Sequence, residues 1–269
     1  MTSNITSALP INNAGLACSA LLILINVSLS IVFRLGLAAS LLKASARMVV
    51  QLLLIGFVLQ WLFQQDNAPL IILLGVVMST IAGISAVQRT KQRFIGIYLN
   101  SLVTVMASSA LITSLAIAGI IRPVPWFTPQ YVIPLLGMVL GNTLNGMTLG
   151  LDCLMEDLCN KRELIETALA LGATRWEACQ EQIRNAIRVG MIPTINSMMI
   201  MGLVSLPGMM TGQILEGASP ALAVRYQIVV LFMIASATAL GVIGVVGLAW
   251  LRLTNREHQL LLERLQTRL

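Results

Sequence analysis

The sequence predicts an all-α integral membrane protein of about seven transmembrane helices interrupted by one long polar segment, and three observations carry that prediction. Of 269 residues, 57% are hydrophobic and only 10% charged, too little polar surface for a soluble globule. Apolar runs of about 20 residues recur, the length at which a helix rising about 1.5 Å per residue crosses the hydrocarbon of a bilayer. Lysines and arginines gather at the ends of those runs, where they meet lipid headgroups and set orientation. The net charge of +6 is therefore assigned to the lipid bilayer and not to nucleic acid.

In chain order, Met1 to Asn13 is a polar leader without Lys or Arg, and the first span runs from Ala14 to Phe33. A cleaved signal peptide is the rival reading. It lacks support because there is no positive n-region, the apolar run is long and Arg34 follows it. Further spans are predicted at about Met48 to Phe63, Pro69 to Val87, Phe94 to Ile121, Tyr131 to Leu151, Met191 to Thr211 and Tyr226 to Leu251. Arg34, Lys43 and Arg47 follow the first span, only Asp66 the second, Arg89, Lys91 and Arg93 the third, and a Pro-rich turn with Arg122 the fourth. Lys161, Arg162, Arg175, Arg184 and Arg188 follow the fifth, Glu216 and Arg225 the sixth, and Arg252, Arg256, Arg264 and Arg268 the last. The positive-inside rule then puts the N-terminus outside and the C-terminus in the cytoplasm. The whole chain, 1–269, reads as one domain with a cytoplasmic polar segment over 153–188. In the tail, 252–269, Leu253, Leu260, Leu261, Leu262 and Leu265 lie among charges, which predicts an amphipathic helix along the headgroups. Cys18, Cys153, Cys159 and Cys179 show no close-spaced metal pair and are expected as free thiols in a reducing compartment.

The polar segment predicts two capped helices. Asn160 with Glu163, and Thr174 with Glu177, both fit a capping box, in which a side-chain oxygen takes an orphan amide and the Glu reaches back. Between them Gly172 can take the left-handed conformation that ends a helix. The result is a short helix with an exposed face, followed by a helix leading back to the membrane.

No catalytic signature is found. There is no phosphate loop, no H-E-x-x-H and no G-x-S-x-G, and the only histidine is His258 in the tail. The predicted spans hold no Asp or Glu in their middles, whereas carriers driven by protons or sodium use intramembrane ionisable groups. The chain is therefore expected to be no enzyme, to bind no cofactor itself, and to draw energy from elsewhere.

Several intramembrane residues invite two readings. Ser205, Pro207, Gly208, Met209 and Met210 stand where Pro207 removes a helix amide, and broken backbone at membrane depth is tolerated where protein or a water-filled cavity satisfies it. The block is either a hinge lining a translocation path or a packing kink. Met198, Met199, Met201, Met209 and Met210 crowd one span; they are core filling or soft-ion ligands such as Cu(I) takes. Asn142 and Asn145 face the bundle, as interhelical hydrogen bonds or on the path, with Asn142 assigned to the path and Gln51 to structure. Gly137 with Gly141, and Gly146 with Gly150, are small-x-x-x-small pairs that let helices approach closely.

Glu166-x-Ala168-x-x-x-Gly172-Ala173-Thr174, before the last two spans, resembles the E-A-A-x-x-x-G coupling helix of ATP-binding-cassette (ABC) permeases, which docks on a separate ATPase. Glu166 and Ala170 share a face, small Ala168 permits close approach and Gly172 sets the exit angle. The Ile-x-Leu-Pro ending of common importers is absent. Arg47-Met-Val-Val-Gln51, Gly141-Asn142, Leu171-Gly172-Ala173-Thr174, Ile192-Pro193-Thr194 and Ser205-Leu-Pro207-Gly208-Met209-Met210 are similar to the FetB-type permeases, a family with a bacterial member assigned to iron export and plant relatives linked to aluminium tolerance. The resemblance implies the permease subunit of an ABC transporter in the cell (inner) membrane, a homodimer paired with a cytoplasmic ABC ATPase subunit that binds the ATP, and a role in iron export or metal homeostasis. The alternatives are a permease for a metabolite such as a nucleotide sugar, and a non-transporting scaffold that recruits a cytoplasmic protein.

Overall fold

All but one of the long apolar runs become continuous helices, because in a membrane each backbone amide must be satisfied within its own segment. The chain, seen in a computed structural model that describes residues 12–65, 67–255, 257 and 259–267, runs α1 (Asn13–Val32), α2 (Ala38–Leu62), α3 (Ala68–Arg89), β1 (Gln92–Phe94), α4 (Ile97–Leu115), α5 (Pro129–Asn160), α6 (Arg162–Ala170), α7 (Arg175–Ile200), α8 (Gly208–Leu215), α9 (Pro220–Leu253) and β2 (Leu265–Thr267). A π-helical stretch, Ala116–Ile121, continues α4, and a 3-10 turn, Leu262–Arg264, precedes β2. Asp66, Arg256, His258, Arg268 and the leader up to residue 11 lie outside the described residues.

The residues group into two compact units, one taking Met1–Asp66 with Gly212–Ser219 and the other Asn67–Thr211 with Pro220–Leu269. In the first, α1 and α2 form a hairpin whose turn uses Arg34 and Gly36 at positive φ. The Ser30 hydroxyl accepts from the Leu37 amide at 3.0 Å. Most of the large apolar side chains of both helices point outward, as suits a surface whose solvent is lipid.

In the second unit α5 is the hub, packing on α3, α4, α7 and α9. Its buried positions Ile133, Leu136, Leu140, Leu144, Met147, Leu151, Leu154 and Leu158 recur every three or four residues, the period of one helical face. Close crossings rest on missing side chains. A Cβ added at Gly146 would stand 2.6 Å from Thr238 Cγ2 and 2.8 Å from the Gly190 carbonyl oxygen, and one at Gly190 would stand 2.8 Å from the Gly146 oxygen. Gly150 is similarly confined by Val242 and the Ala186 carbonyl, while Gly141 meets nothing within 4 Å. Of the two expected small-residue pairs, Gly146 with Gly150 therefore makes the tight crossing. On α3, Gly83 lies against Leu102, and its carbonyl accepts from the Ser101 hydroxyl at 3.0 Å.

Among the described residues six helices are long and apolar enough to cross a membrane: α1, α2, α3, α4 with its π-helical extension, α5 and α9. The expected span Met191 to Thr211 is discontinuous. α7 stops at Ile200, Met201 turns extended, Gly202 takes φ +85°, and the Gly202 amide donates to the Ser205 carbonyl at 2.9 Å. The chain re-enters helix only at Gly208, after Pro207, which has no amide to continue a helix.

Two expectations are corrected. Asn160 forms no capping box with Glu163: it is the last residue of α5, and Lys161 alone separates α5 from α6 with no side-chain cap. The buried face of α5 continues through Leu154, Met155 and Leu158, and this carries the helix past the expected end of the span. Nor are the described residues of the 252–269 tail an amphipathic helix. After α9 the chain folds back, with the Leu261 amide donating to Leu253 at 2.8 Å. β2 pairs antiparallel with β1, Phe94 opposite Leu265 and Gln92 opposite Thr267. Leu260, Leu262 and Leu265 pack against the main core, so the leucines that suggested a lipid-facing stripe cover protein instead.

Candidate functional site

The candidate functional side chains gather at two places, one at each end of α7. At the first, α6 is a nine-residue helix anchored by Ile165, which is fully buried in the main core. Its other faces are open. Arg162 Nε donates to Glu166 Oε1 at 2.7 Å one turn along, an exposed pair that water and salt screen. Ala168 is half-buried and Ala170 exposed. Leu164 and Leu171 are 62% and 85% exposed, and seven residues apart they lie on the same side of the helix. Sequence reasoning missed these two. The signal was present, an apolar i, i+7 pair bracketing the small residue, but it was hidden by the hydrophobicity of the rest of the chain.

Gly172 ends α6 at φ +94°. The Ala173 amide donates to Ala168 O and the Gly172 amide to Leu169 O, each at 3.0 Å, the paired bonds of a Schellman stop. The capping box at Thr174 is present: the Glu177 amide donates to Thr174 Oγ1 at 3.3 Å and Glu177 Oε2 accepts from the Thr174 amide at 2.8 Å. Thr174→Ala is expected to cost about 1 kcal/mol, a fall of about 2–4 °C in the midpoint of thermal unfolding in detergent. Unchanged melting would show that the cap holds nothing. Beyond the cap, the Trp176 and Trp250 rings meet edge to face with centroids 5.5 Å apart, and the Arg175 guanidinium lies 5.1 Å from the Trp250 ring centroid. The segment is thereby clamped to the end of α9. Burial pushes the Cys179 thiol above its ordinary range, so at neutral pH it remains a protonated thiol; all four cysteines are free. The α3–α4 loop joins the same end, where the Lys91 amide donates to Asp152 Oδ1 at 3.0 Å.

At the other end of α7, the break opens a cavity of about 190 Å³ whose lining includes Met138, Asn142, Pro207, Gly208, Met209 and Gln227. A second, of about 290 Å³, shares Met201, Pro207 and Gln227 with it and adds Met198 and Met210. Of the expected path residues, Asn142, Pro207, Gly208 and Met209 thus share one cavity and Met210 lies in the next. Ser205 lines neither; its carbonyl closes the turn. Met199 is 71% exposed, outside both. Asn142 Nδ2 donates to its own helix at Met138 O, 2.8 Å, and Asn145 accepts from Arg89 Nη1 at 3.0 Å. Gln51 is exposed on α2.

Gln227 was not foreseen. It is 7% exposed, its Nε2 lies 4.0 Å from Met201 Sδ, and its Oε1 has no hydrogen-bond partner. A buried acceptor left unmet costs about 1–3 kcal/mol. A glutamine inside the last apolar run was the sequence signal for it. A larger cavity of about 330 Å³ between α3, α4 and α5 is apolar apart from the hydroxyls of Ser79, Thr113 and Ser114.

Among the described residues, six helices long and apolar enough to cross a membrane, a further apolar run interrupted beside a cavity and a polar segment with an exposed helix define a multi-pass membrane protein. The model of the family described as Uncharacterised protein family (UPF0014) matches residues 13–253, and the chain belongs to that family. It is 39% identical over 227 residues to a UPF0014 membrane protein of Synechocystis sp., covering 84% of this chain and 88% of that one. It is 36% identical over 244 residues to the Arabidopsis thaliana Protein ALUMINUM SENSITIVE 3, covering 91% and 88%. With the Escherichia coli protein named Probable iron export permease protein FetB it shares 32% identity over 257 residues, 95% of this chain and 97% of that one. The FetB-type resemblance read from the motifs therefore holds. No solved structure matches the chain.

Proposed function

We propose that the chain is the permease subunit of an ABC transporter that exports a metal, with iron the cargo suggested by the name of the Escherichia coli relative. The observation that carries this is α6: a short helix held from behind by Ile165, stopped by Gly172, and presenting Leu164, Glu166 and Leu171 outward. The face fits a groove on a cytoplasmic ATPase subunit, which would bind the ATP. Ala168 leaves room for contact, and two exposed leucines supply apolar area for a partner to bury. Two permease copies and two ATPase subunits would form the transporter in the inner membrane, the N-terminus outside and α6 with the tail in the cytoplasm, as the distribution of basic residues supports.

The test is ATP turnover by the permease co-purified with its ATPase in lipid nanodiscs, across Fe(II), Fe(III), Al(III) and UDP-sugars. Stimulation by one metal is expected. The double variant Leu164→Asp, Leu171→Asp, at exposed positions, should lower turnover at least tenfold without lowering the melting temperature. A complex that never forms, or turnover indifferent to both leucines and every cargo, would leave a scaffold role as the better reading.

A further inference from the structure

The break between α7 and α8 gathers thioethers around a buried amide. Met138 of α5, Met201 at the end of α7 and Met209 of α8 line one cavity with Asn142 and Gln227. Methionines alone are ordinary core filling, flexible and shape-tolerant. Core filling does not account for Gln227, whose amide nitrogen points to the Met201 sulfur at 4.0 Å while its oxygen finds no donor although the residue is 7% exposed. A buried oxygen with an unused lone pair, in a cavity that three methionines line, has the makings of a cation site.

We infer that this cavity binds a soft monovalent cation, Cu(I) or its analogue Ag(I), through the sulfurs of Met138, Met201 and Met209 with Gln227 Oε1 completing the shell. Thioethers select soft d10 ions over hard ones. The lining residues carry no formal charge, and among the described residues no group of three His, Cys, Asp or Glu is placed to hold a metal. The desolvation cost of an ion rises steeply with its charge, so uncharged ligands in a low-dielectric site favour a single positive charge over Fe(II) or Al(III). None of these ligands must lose a proton to bind, so affinity is flat between about pH 6 and 8, unlike that of a cysteine or histidine site.

The test uses the full chain in nanodiscs without the ATPase, so it stands apart from the transport reading: a chain that never couples to ATP can still bind Ag(I), and a coupled transporter can fail to. Because the four free thiols would outcompete thioethers for silver, every measurement is made in a Cys18→Ser, Cys153→Ser, Cys159→Ser, Cys179→Ala background: Ag(I) affinity by competition with a soluble thioether chelator, and the ligand shell by X-ray absorption at the silver edge. One Ag(I) per chain with two or three sulfurs at bonding distance is expected. Met201→Leu and Met138→Leu should each weaken binding at least tenfold. Met48→Leu, on exposed α2, should leave it unchanged, and Gln227→Glu should tighten it by placing a carboxylate where the unpaired oxygen stands. A shell without sulfur in the cysteine-free chain overturns the inference whatever the variants do, and so does undiminished affinity in whichever of Met201→Leu and Met138→Leu folds.

Discussion

Gly146→Ala should fail to accumulate as folded protein, and Gly190→Ala should behave alike. The added methyl has nowhere to go. At Gly146 it would stand 2.6 Å from Thr238 Cγ2 and 2.8 Å from the Gly190 carbonyl oxygen; at Gly190, 2.7 Å from Val242 Cγ1 and 2.8 Å from the Gly146 oxygen. Side chains can swing aside, but both glycines also face backbone oxygens, so relief requires α5 and α7 to separate. Overpacking of this kind costs about 1–3 kcal/mol and sometimes more. The interface affected also joins α9, so the upper part of that range is expected. Gly141→Ala supplies the contrast: nothing lies within 4 Å, and replacing a helical glycine adds up to about 1 kcal/mol of helix propensity. Fluorescence-detected gel filtration after a heating series would rank the three. Equal melting of Gly146→Ala and Gly141→Ala would mean that α5 and α7 are not in this contact in the membrane.

Gly172→Val should abolish coupling while sparing the transmembrane helices. At φ +94° a residue with a branched Cβ is strained by about 1–2 kcal/mol, and the hydrogen bonds of the Gly172 and Ala173 amides that end α6 would have to offset it. The cheaper outcome is for α6 to lose its stop and swing, carrying Leu164 and Leu171 out of register. Gly172→Asn separates conformation from size, because asparagine tolerates the left-handed region. In the reconstituted complex, turnover should fall at least tenfold with valine and by less than threefold with asparagine. A valine variant with full turnover would show that the angle of α6 is irrelevant to the partner.

Spans that are uniformly apolar could be read from composition alone, since twenty residues without a charge can do little else but cross a membrane. The ends were harder. α5 runs to Asn160 although Asp152, Glu156 and Asp157 look like loop, because Leu151, Leu154, Met155 and Leu158 keep one face buried; a local charge count cannot see which side of a helix is covered. Pro207 pointed to irregular backbone but to the wrong residue as its origin: the helix is already lost at Met201 and Gly202. The tail was misread because its leucines fit a helical stripe as well as they fit contacts made one by one along a folded-back chain. Their partner, β1, is three residues long and remote in sequence, and no periodicity announces it. Of the candidate site, the Gly172 stop and the Thr174 cap were legible since they are made by near neighbours. Gln227, Met138 and the tryptophan clamp were not, since each acquires meaning only from a residue on another helix.

The close approach of Gly190 to Gly146 also gives α7 the geometry of a lever. Its 26 residues touch α5 backbone to backbone at Gly190, leaving an arm of about 22 Å toward Arg175 and one of about 15 Å toward Ile200 at 1.5 Å per residue. Were that contact a fulcrum, a push on the long arm would move the methionine-lined break the opposite way through about two-thirds of the distance, and would have to carry with it the core packing of Cys179, Ile183 and Ala186. Pro193, just beyond that point on the short arm, is where such a beam would flex, which would make the stroke at the cavity shorter than a rigid rod gives.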